Sequence, residues 1–233
     1  MKPKALYKKF KLFYRWFLNS FPLKEEFGYC GKNTVLQYPL RIYSKKAVYI
    51  EDNVKISKGL HILNAPNEKV FIKKYSVLAA NCTISTNSHV KTVTVPQFLL
   101  GASHVNDMSA AETTIHEDVM FGTNVTILCG VNIGRGCLVG ANSVVTKSLP
   151  PYSVAIGSPA RIVKKVFTVE QILKHEAALY PPNERMTRAE LEANEEKFFK
   201  DKGTYGTDEG LDKEALERII NIKKMLHYIE PNI

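Results

Sequence analysis

The chain has 233 residues, with 45% hydrophobic and 24% charged residues, enough for one sizeable core with appendages. No apolar run approaches the roughly eighteen residues of a membrane span, and no segment has the layout of a secretory signal peptide. Of the formal net charge of +9, seven excess positive charges lie in residues 1–24, which hold no acid; the nearly balanced remainder argues against a nucleic-acid-binding body.

Residues 4–21, KALYKKFKLFYRWFLNSF, read as an amphipathic helix. Leu6, Phe10, Phe13, Tyr14, Phe17 and Phe21 recur at three- and four-residue steps, with lysines between. Such a helix can cap the exposed strand edges of whatever follows. It can also rest a basic, aromatic face on an anionic membrane. Residues 1–26 are read as this basic helical segment.

From Phe27 a period of six begins, irregular at first. Asn33 and Asn53 suit tight corners, because asparagine tolerates the left-handed conformation. Ile50, Ile56 and Ile62 keep one phase; the next matching residue, Ile72, comes ten positions later, so residues 64–69 (NAPNEK) carry an insertion at a corner. Ile72, Leu78 and Ile84 resume the phase. After His89 a stretch, residues 90–114, obeys no repeat and is expected to be a loop-like arm over a site. The period then returns in its cleanest form. Ile115, Phe121, Ile127, Ile133, Val139 and Val145 share one phase, and Val119, Val125, Val131, Cys137 and Ser143 follow four residues after the first five. Six is the period of neither a helix nor an alternating strand. It suits a coil of three short flat faces joined by tight corners, with apolar residues inward.

Residues 149–165 are expected to close the coil with two prolines and a last strand. Beyond Lys165 the pattern turns helical. Thr168 with Gln171 and Thr187 with Glu190 form capping boxes, and Asp212 can cap a third helix running to about Tyr228. The four cysteines, Cys30, Cys82, Cys129 and Cys137, lack metal-ligand spacing and are expected to be reduced thiols in a cytoplasmic protein.

The segment LAANCTISTNSH (residues 78–89), the arm, and the run from Phe121 to Val163 together resemble the hexapeptide-repeat acyltransferases. Within that group they are most similar to the maltose, galactoside and nodulation-type O-acetyltransferases and the capsular glycan acetyltransferases. The resemblance implies a mainly β protein, a left-handed parallel β-helix over residues 27–165, with an N-terminal amphipathic helix, a protruding loop and a C-terminal helical extension over 166–233. It also implies acetyl-CoA as co-substrate, no metal, and a homotrimer with sites between subunits. His89 takes the place of the family's general base. A neutral imidazole within hydrogen-bond reach can accept the proton of an acceptor hydroxyl as that oxygen attacks a thioester.

Thr123, Ala141, Thr146, Lys147, Arg161 and Lys164 match family positions that contact acetyl-CoA. The small residues let the pantetheine lie against the coil, and the cations suit its phosphates. Lys164 stands where the family has arginine. Acceptor contacts depart further: Gly59 replaces an asparagine, Asn67 an aspartate and Met120 a tryptophan, while His61 and Asn87 remain candidates to line the acceptor cleft. The acceptor is therefore expected to be a sugar or glycan of surface-polysaccharide biosynthesis other than galactoside or maltose, with possible peripheral membrane contact through residues 1–21. His116 is expected to face outward, His104 to lie in the arm, and His175 and His227 in the tail. Two other readings remain: an N-acetyltransferase for a nucleotide-linked amino sugar or an antibiotic acetyltransferase of the same fold; and a non-catalytic scaffold or γ-carbonic-anhydrase-like metal protein, which needs histidines spaced as ligands.

Overall fold

In a computed structural model, residues 3–103, 107–109, 112–207 and 210–225 are described. The chain winds as a triangular coil, each turn contributing one short strand to each of three parallel faces. The first turn gives β1 (Tyr29–Cys30), β2 (Val35–Leu36) and β3 (Arg41–Ile42). The second gives β4 (Val48–Ile50), β5 (Lys55–Ile56) and β6 (His61–Leu63), and the third β7 (Lys69–Ile72), β8 (Val77–Leu78) and β9 (Thr83–Ser85). The chain then leaves as an arm containing β10 (Asn87–His89), α1 (Gln97–Ser103) and β11 (Asp107–Ser109). It rejoins with β12 (Glu112–Ile115), β13 (Met120–Phe121) and β14 (Thr126–Ile127). A fifth turn passes Ile133, β15 (Leu138–Val139) and β16 (Val144–Val145), and a sixth Leu149 and β17 (Ser153–Gly157) before β18 (Ala160–Lys165) folds back.

The three faces stack in parallel register. The first runs β1-β4-β7-β12, continued by bridges from Ile115 to Ile133 and on to Leu149; the second runs β2-β5-β8-β13-β15-β17, and the third β3-β6-β9-β14-β16. The six-residue phase therefore becomes three vertical ladders. Ile50, Ile72, Ile115 and Ile133 line one, Ile56, Leu78, Phe121 and Val139 the next, and Ile62, Ile84, Ile127 and Val145 the third, all at most 1% exposed. Burying each such side chain contributes about 1.5–3 kcal/mol.

Corners need left-handed backbone, and asparagine supplies it at Asn33, Asn53, Asn81, Asn124 and Asn142, with φ between 54° and 60°. Gly122 serves closeness instead: a Cβ there would sit 2.5 Å from the backbone nitrogen of Ala141 in the next turn.

Three expectations need correction. The arm is not a structureless loop over residues 90–114: β10 and β11 pair antiparallel, with His89 opposite Asp107, and α1 lies between them. Its end comes earlier, because β12 already pairs with β7 from Glu112 to Ile115, burying Thr113 and Thr114. The hexad pattern carries no sign of this, because buried threonines stand where an apolar residue would mark the strand. Residues 149–165 hold two strands rather than one, since β18 turns back antiparallel on β17 after Gly157.

The N-terminal helix, Pro3–Ser20, forms as expected but covers the first turn only at its last residues. Ser20 is buried and its carbonyl accepts the Leu40 N–H at 2.8 Å, while Phe10, Phe13, Tyr14 and Phe17 are 46–64% exposed. A lid over the coil would have buried those rings. The capping boxes at Thr168 and Thr187 both close, opening α2 (Val169–Leu179) and α3 (Arg188–Asn194). Asp212 accepts the Ala215 N–H at 2.7 Å ahead of α4 (Lys213–Met225). The expected continuation toward Tyr228 lies outside the described residues, as do His104 and His227. Helix α2 docks on the last turns through Ile172 and through Glu176, which accepts the Tyr152 hydroxyl at 2.9 Å and Arg135 at 3.2 Å.

Candidate active site

The third face, β3-β6-β9-β14-β16, organises the candidate residues, because its two edges carry most of them. One edge joins it to the second face. Gly59, Asn81, Thr123 with Asn124, and Ala141 with Asn142 turn this corner in successive coils, tied by the Asn81 N–H to the Lys58 carbonyl and the Asn142 N–H to the Thr123 carbonyl, both 2.9 Å. Thr123 and Ala141 are exposed there, one turn apart. The other edge joins the third face to the first. Asn87 and His89 leave from it after β9, and Thr146 and Lys147 turn it after β16. His89, Thr146 and Lys147 are exposed. The strands between the edges make the face roughly 15 Å wide.

The structure thus brings Thr123 to Ala141, and places Thr146 and Lys147 on the same edge as His89. It does not bring the two groups together within one chain. Arg161 and Lys164 project from β18 beyond the second face. They are three residues apart, a spacing that would normally oppose them. The register shift at Val154 and Ala155 inserts Val163, so both stand on the outer side.

The residues leading into His89, Thr86 and Asn87, are held from below by a residue that the sequence pattern does not mark. Glu68, at the end of the corner insertion, is only 3% exposed. Its Oε2 accepts the Ala65 N–H at 2.8 Å, the Thr86 hydroxyl at 2.5 Å and the Asn87 side-chain amide at 3.2 Å. Asn64 braces the same turn, donating to the Ser44 carbonyl at 3.0 Å. A lone acid in a turn carries no periodic signal; only the tertiary contact shows that it holds the two residues from which the arm departs. Asn87 is committed to this contact, while Asn67 is exposed on the outside of the turn.

The remaining candidates spread out. Gly59 has φ +83°, and a Cβ there would meet the Asn81 side-chain oxygen at 2.1 Å, so the corner itself demands glycine. Met120 is 53% exposed on β13 of the second face. His61 lies on the third face, in register with Arg41 below and Thr83 above. Burial, then the charge of Arg41, lowers its pKa. His116 follows β12 beside Glu117, its pKa lowered chiefly by burial. His175 on α2 meets Asp118 at 3.0 Å. His61, His89 and His116 therefore stand in different settings, and among the described residues no three His, Cys, Asp or Glu side chains gather as a metal site. The four cysteines are free thiols. No described helix is long and apolar enough to cross a membrane.

The fold and this distribution find counterparts among known proteins. The bacterial transferase hexapeptide (six repeats) family matches residues 112–147. A Saccharomyces cerevisiae protein described as an acetyltransferase is 31% identical over 144 residues, covering 62% of this chain and 69% of that relative. Escherichia coli WbbJ, described as a lipopolysaccharide biosynthesis O-acetyltransferase, is 30% identical over 145 residues, covering 58% of this chain and 70% of its own. Among solved structures, a hexapeptide-repeat acetyltransferase of Vibrio cholerae complexed with acetyl-CoA is 28% identical, with a TM-score of 0.55 over 61% of this chain and 73% of that chain. A maltose O-acetyltransferase of Clostridium difficile is 26% identical, with a TM-score of 0.52 over 61% and 72% of the two chains. With its triangular coil, stacked hexads and corner asparagines, the chain belongs to the hexapeptide-repeat acetyltransferases and is an acetyltransferase built on their left-handed parallel β-helix.

Proposed function

We propose that the protein transfers the acetyl group of acetyl-CoA to a hydroxyl of a sugar or glycan acceptor in surface-polysaccharide biosynthesis, with His89 as general base. The observation that carries this reading is the placement of His89, exposed at the root of an arm that leaves a rigid coil, on the edge that also presents Thr146 and Lys147. The acceptor hydroxyl gives its proton to the imidazole while its oxygen attacks the thioester carbonyl. The tetrahedral intermediate collapses by breaking the C–S bond, and the leaving CoA thiolate takes the proton back from the imidazolium. Backbone N–H groups at the corners are the donors available to the transient oxyanion.

Acetyl-CoA lies between copies in this reading. Thr123 and Ala141 stand on the opposite edge of the face from Thr146, Lys147 and His89. A molecule in the groove between two copies meets one edge of each, which a homotrimer of prisms provides. Arg161 and Lys164 then face the CoA phosphates. The enzyme works in the cytoplasm at the inner face of a membrane, with the exposed rings of the N-terminal helix on anionic lipid; the surplus of positive charge in residues 1–24 supports this.

The test is His89→Ala, assayed by acetyl transfer to sugar and amino-sugar acceptors. The expected outcome is a loss of turnover of at least about a hundredfold, with the oligomer and melting temperature unchanged. Near-wild-type turnover would remove His89 from the role, and transfer confined to amines would move the activity to N-acetylation.

A further inference from the structure

Face three ends, at its first strands, in a cavity that no part of the proposed transfer chemistry uses. The N-terminal helix crosses beside β3 and β6 and leaves about 530 Å³ between them, lined by Arg15, Trp16, Asn19, Arg41, Tyr43 and His61. That is the scale of small-molecule sites, roughly 300–1,000 Å³. The lining holds two guanidinium groups and no acid, and among the described residues neither Arg15 nor Arg41 has a carboxylate within ion-pair distance. Arginines left without carboxylates in a concave site are placed for an anion, and their planar donor fork matches phosphoryl oxygens.

Two aromatic residues complete the lining. The apolar C–H face of a sugar ring stacks on such surfaces, as apolar groups do generally. The Tyr43 and His61 rings meet edge-on with centroids 5.7 Å apart. His61 Nε2 is buried and has no hydrogen-bond partner among the described residues. A buried polar atom without a partner is costly, which marks the wall of the cavity at His61 as under strain rather than as settled packing. Burial, with the charge of Arg41, lowers the pKa of that imidazole.

We propose that this cavity is an acceptor subsite that binds a saccharide bearing a phosphoryl group. Arg15 and Arg41 hold the phosphoryl oxygens, Trp16 and Tyr43 offer aromatic surface to the ring, and His61 backs the wall behind Tyr43. The proposal rests on the glycan-acceptor reading above and specifies its substrate class. His61 pairs with Thr83, and the chain runs from Thr83 to His89 in six residues, roughly 20 Å of extended backbone. In this proposal the sugar held in the cavity is the phosphorylated end of a longer acceptor, and the acetylated hydroxyl lies on a residue further along it.

Trp16 is the single tryptophan of the chain, so its fluorescence reports occupancy directly. The full-length protein is titrated with the 1-phosphates of glucose, galactose and N-acetylglucosamine, and in parallel with the free sugars, inorganic phosphate, and vesicles containing phosphatidylglycerol. Saturable change with at least one sugar 1-phosphate is expected, with affinity at least about tenfold above its free sugar and above phosphate, and weakened about tenfold or more in Arg41→Ala. His89→Ala should bind as wild type does, so failure of the catalytic reading leaves this result intact. A flat response to all three sugar phosphates up to 20 mM overturns the subsite, as does an unaltered affinity in a folded Arg41→Ala. A response to vesicles alone overturns it too, and assigns the helix to lipid headgroups. Acetyl transfer that persists while every sugar phosphate fails to bind overturns the subsite and leaves the proposed reaction standing.

Discussion

Replacing Glu68 by alanine tests whether the root of the arm is held from below. The carboxylate is 3% exposed and one of its oxygens accepts three hydrogen bonds, from Ala65, Thr86 and Asn87. Thr86 keeps a second acceptor in the variant, the Leu63 carbonyl at 3.0 Å, which leaves two donors stranded. Stranding costs about 1–3 kcal/mol per group, so the expected loss is about 3 kcal/mol. At about 2–4 °C per kcal/mol for a chain of this size, Glu68→Ala should melt about 6–12 °C below wild type. Glu68→Gln can keep its amide oxygen in the same place and loses only the charge assistance, while relieving the cost of burying a carboxylate. It should fall by no more than half as much. Because Asn87 precedes His89 by two positions, turnover should drop in Glu68→Ala by more than the affinity for acetyl-CoA, whose proposed contacts at Thr123, Ala141, Arg161 and Lys164 lie away from Glu68. Circular dichroism melts and steady-state kinetics read both. If Glu68→Ala melts within 2 °C of wild type, or the two variants are indistinguishable, Glu68 does not anchor the arm.

Acid stability offers a second test. Burial raises the Glu117 pKa, but its own backbone N–H, Arg135 and Lys73 together outweigh that and hold it below the ordinary value of 4.5. A depressed carboxylate stabilises the fold fully above its unfolded pKa and loses that contribution as pH falls through its folded one. The melting temperature should therefore fall below about pH 4.5, and less steeply in Arg135→Met, which starts lower; parallel acid slopes would remove Glu117 from the linkage. Membrane contact is testable by deletion: without residues 1–21 the protein should no longer sediment with phosphatidylglycerol vesicles, and wild-type binding should weaken with salt. Equal recovery of both proteins from the supernatant would leave the exposed rings without a lipid partner.

Much of this is legible in the sequence itself. The phase residues Ile115, Phe121, Ile127, Ile133, Val139 and Val145 all point inward, because a coil of three equal six-residue faces puts every sixth side chain at the inner position of the next wall and every eighteenth on the same ladder. Asn33 and Asn53 mark corners because few side chains tolerate a positive φ. Capping boxes are equally local, and those at Thr168 and Thr187 close as written. His89 stands out for a related reason: it is where the period stops.

Tertiary structure decided what period cannot encode. Two edges of one face lie six residues apart in sequence but on opposite sides of the coil, so Ala141 and Thr146, neighbours in the chain, are separated in space. The aromatic face of the N-terminal helix reads the same whether it covers the coil or faces solvent; only the docking angle set at Ser20 and Leu40 leaves it exposed. Glu68 and Arg41 each look like solvated surface charges in sequence. What distinguishes them is what surrounds them, three donors around one and an acid-free cavity beside the other. Spacing along a chain determines which side chains share a wall of the coil; which walls meet, and what charges they enclose, depends on the packing of elements far apart in sequence.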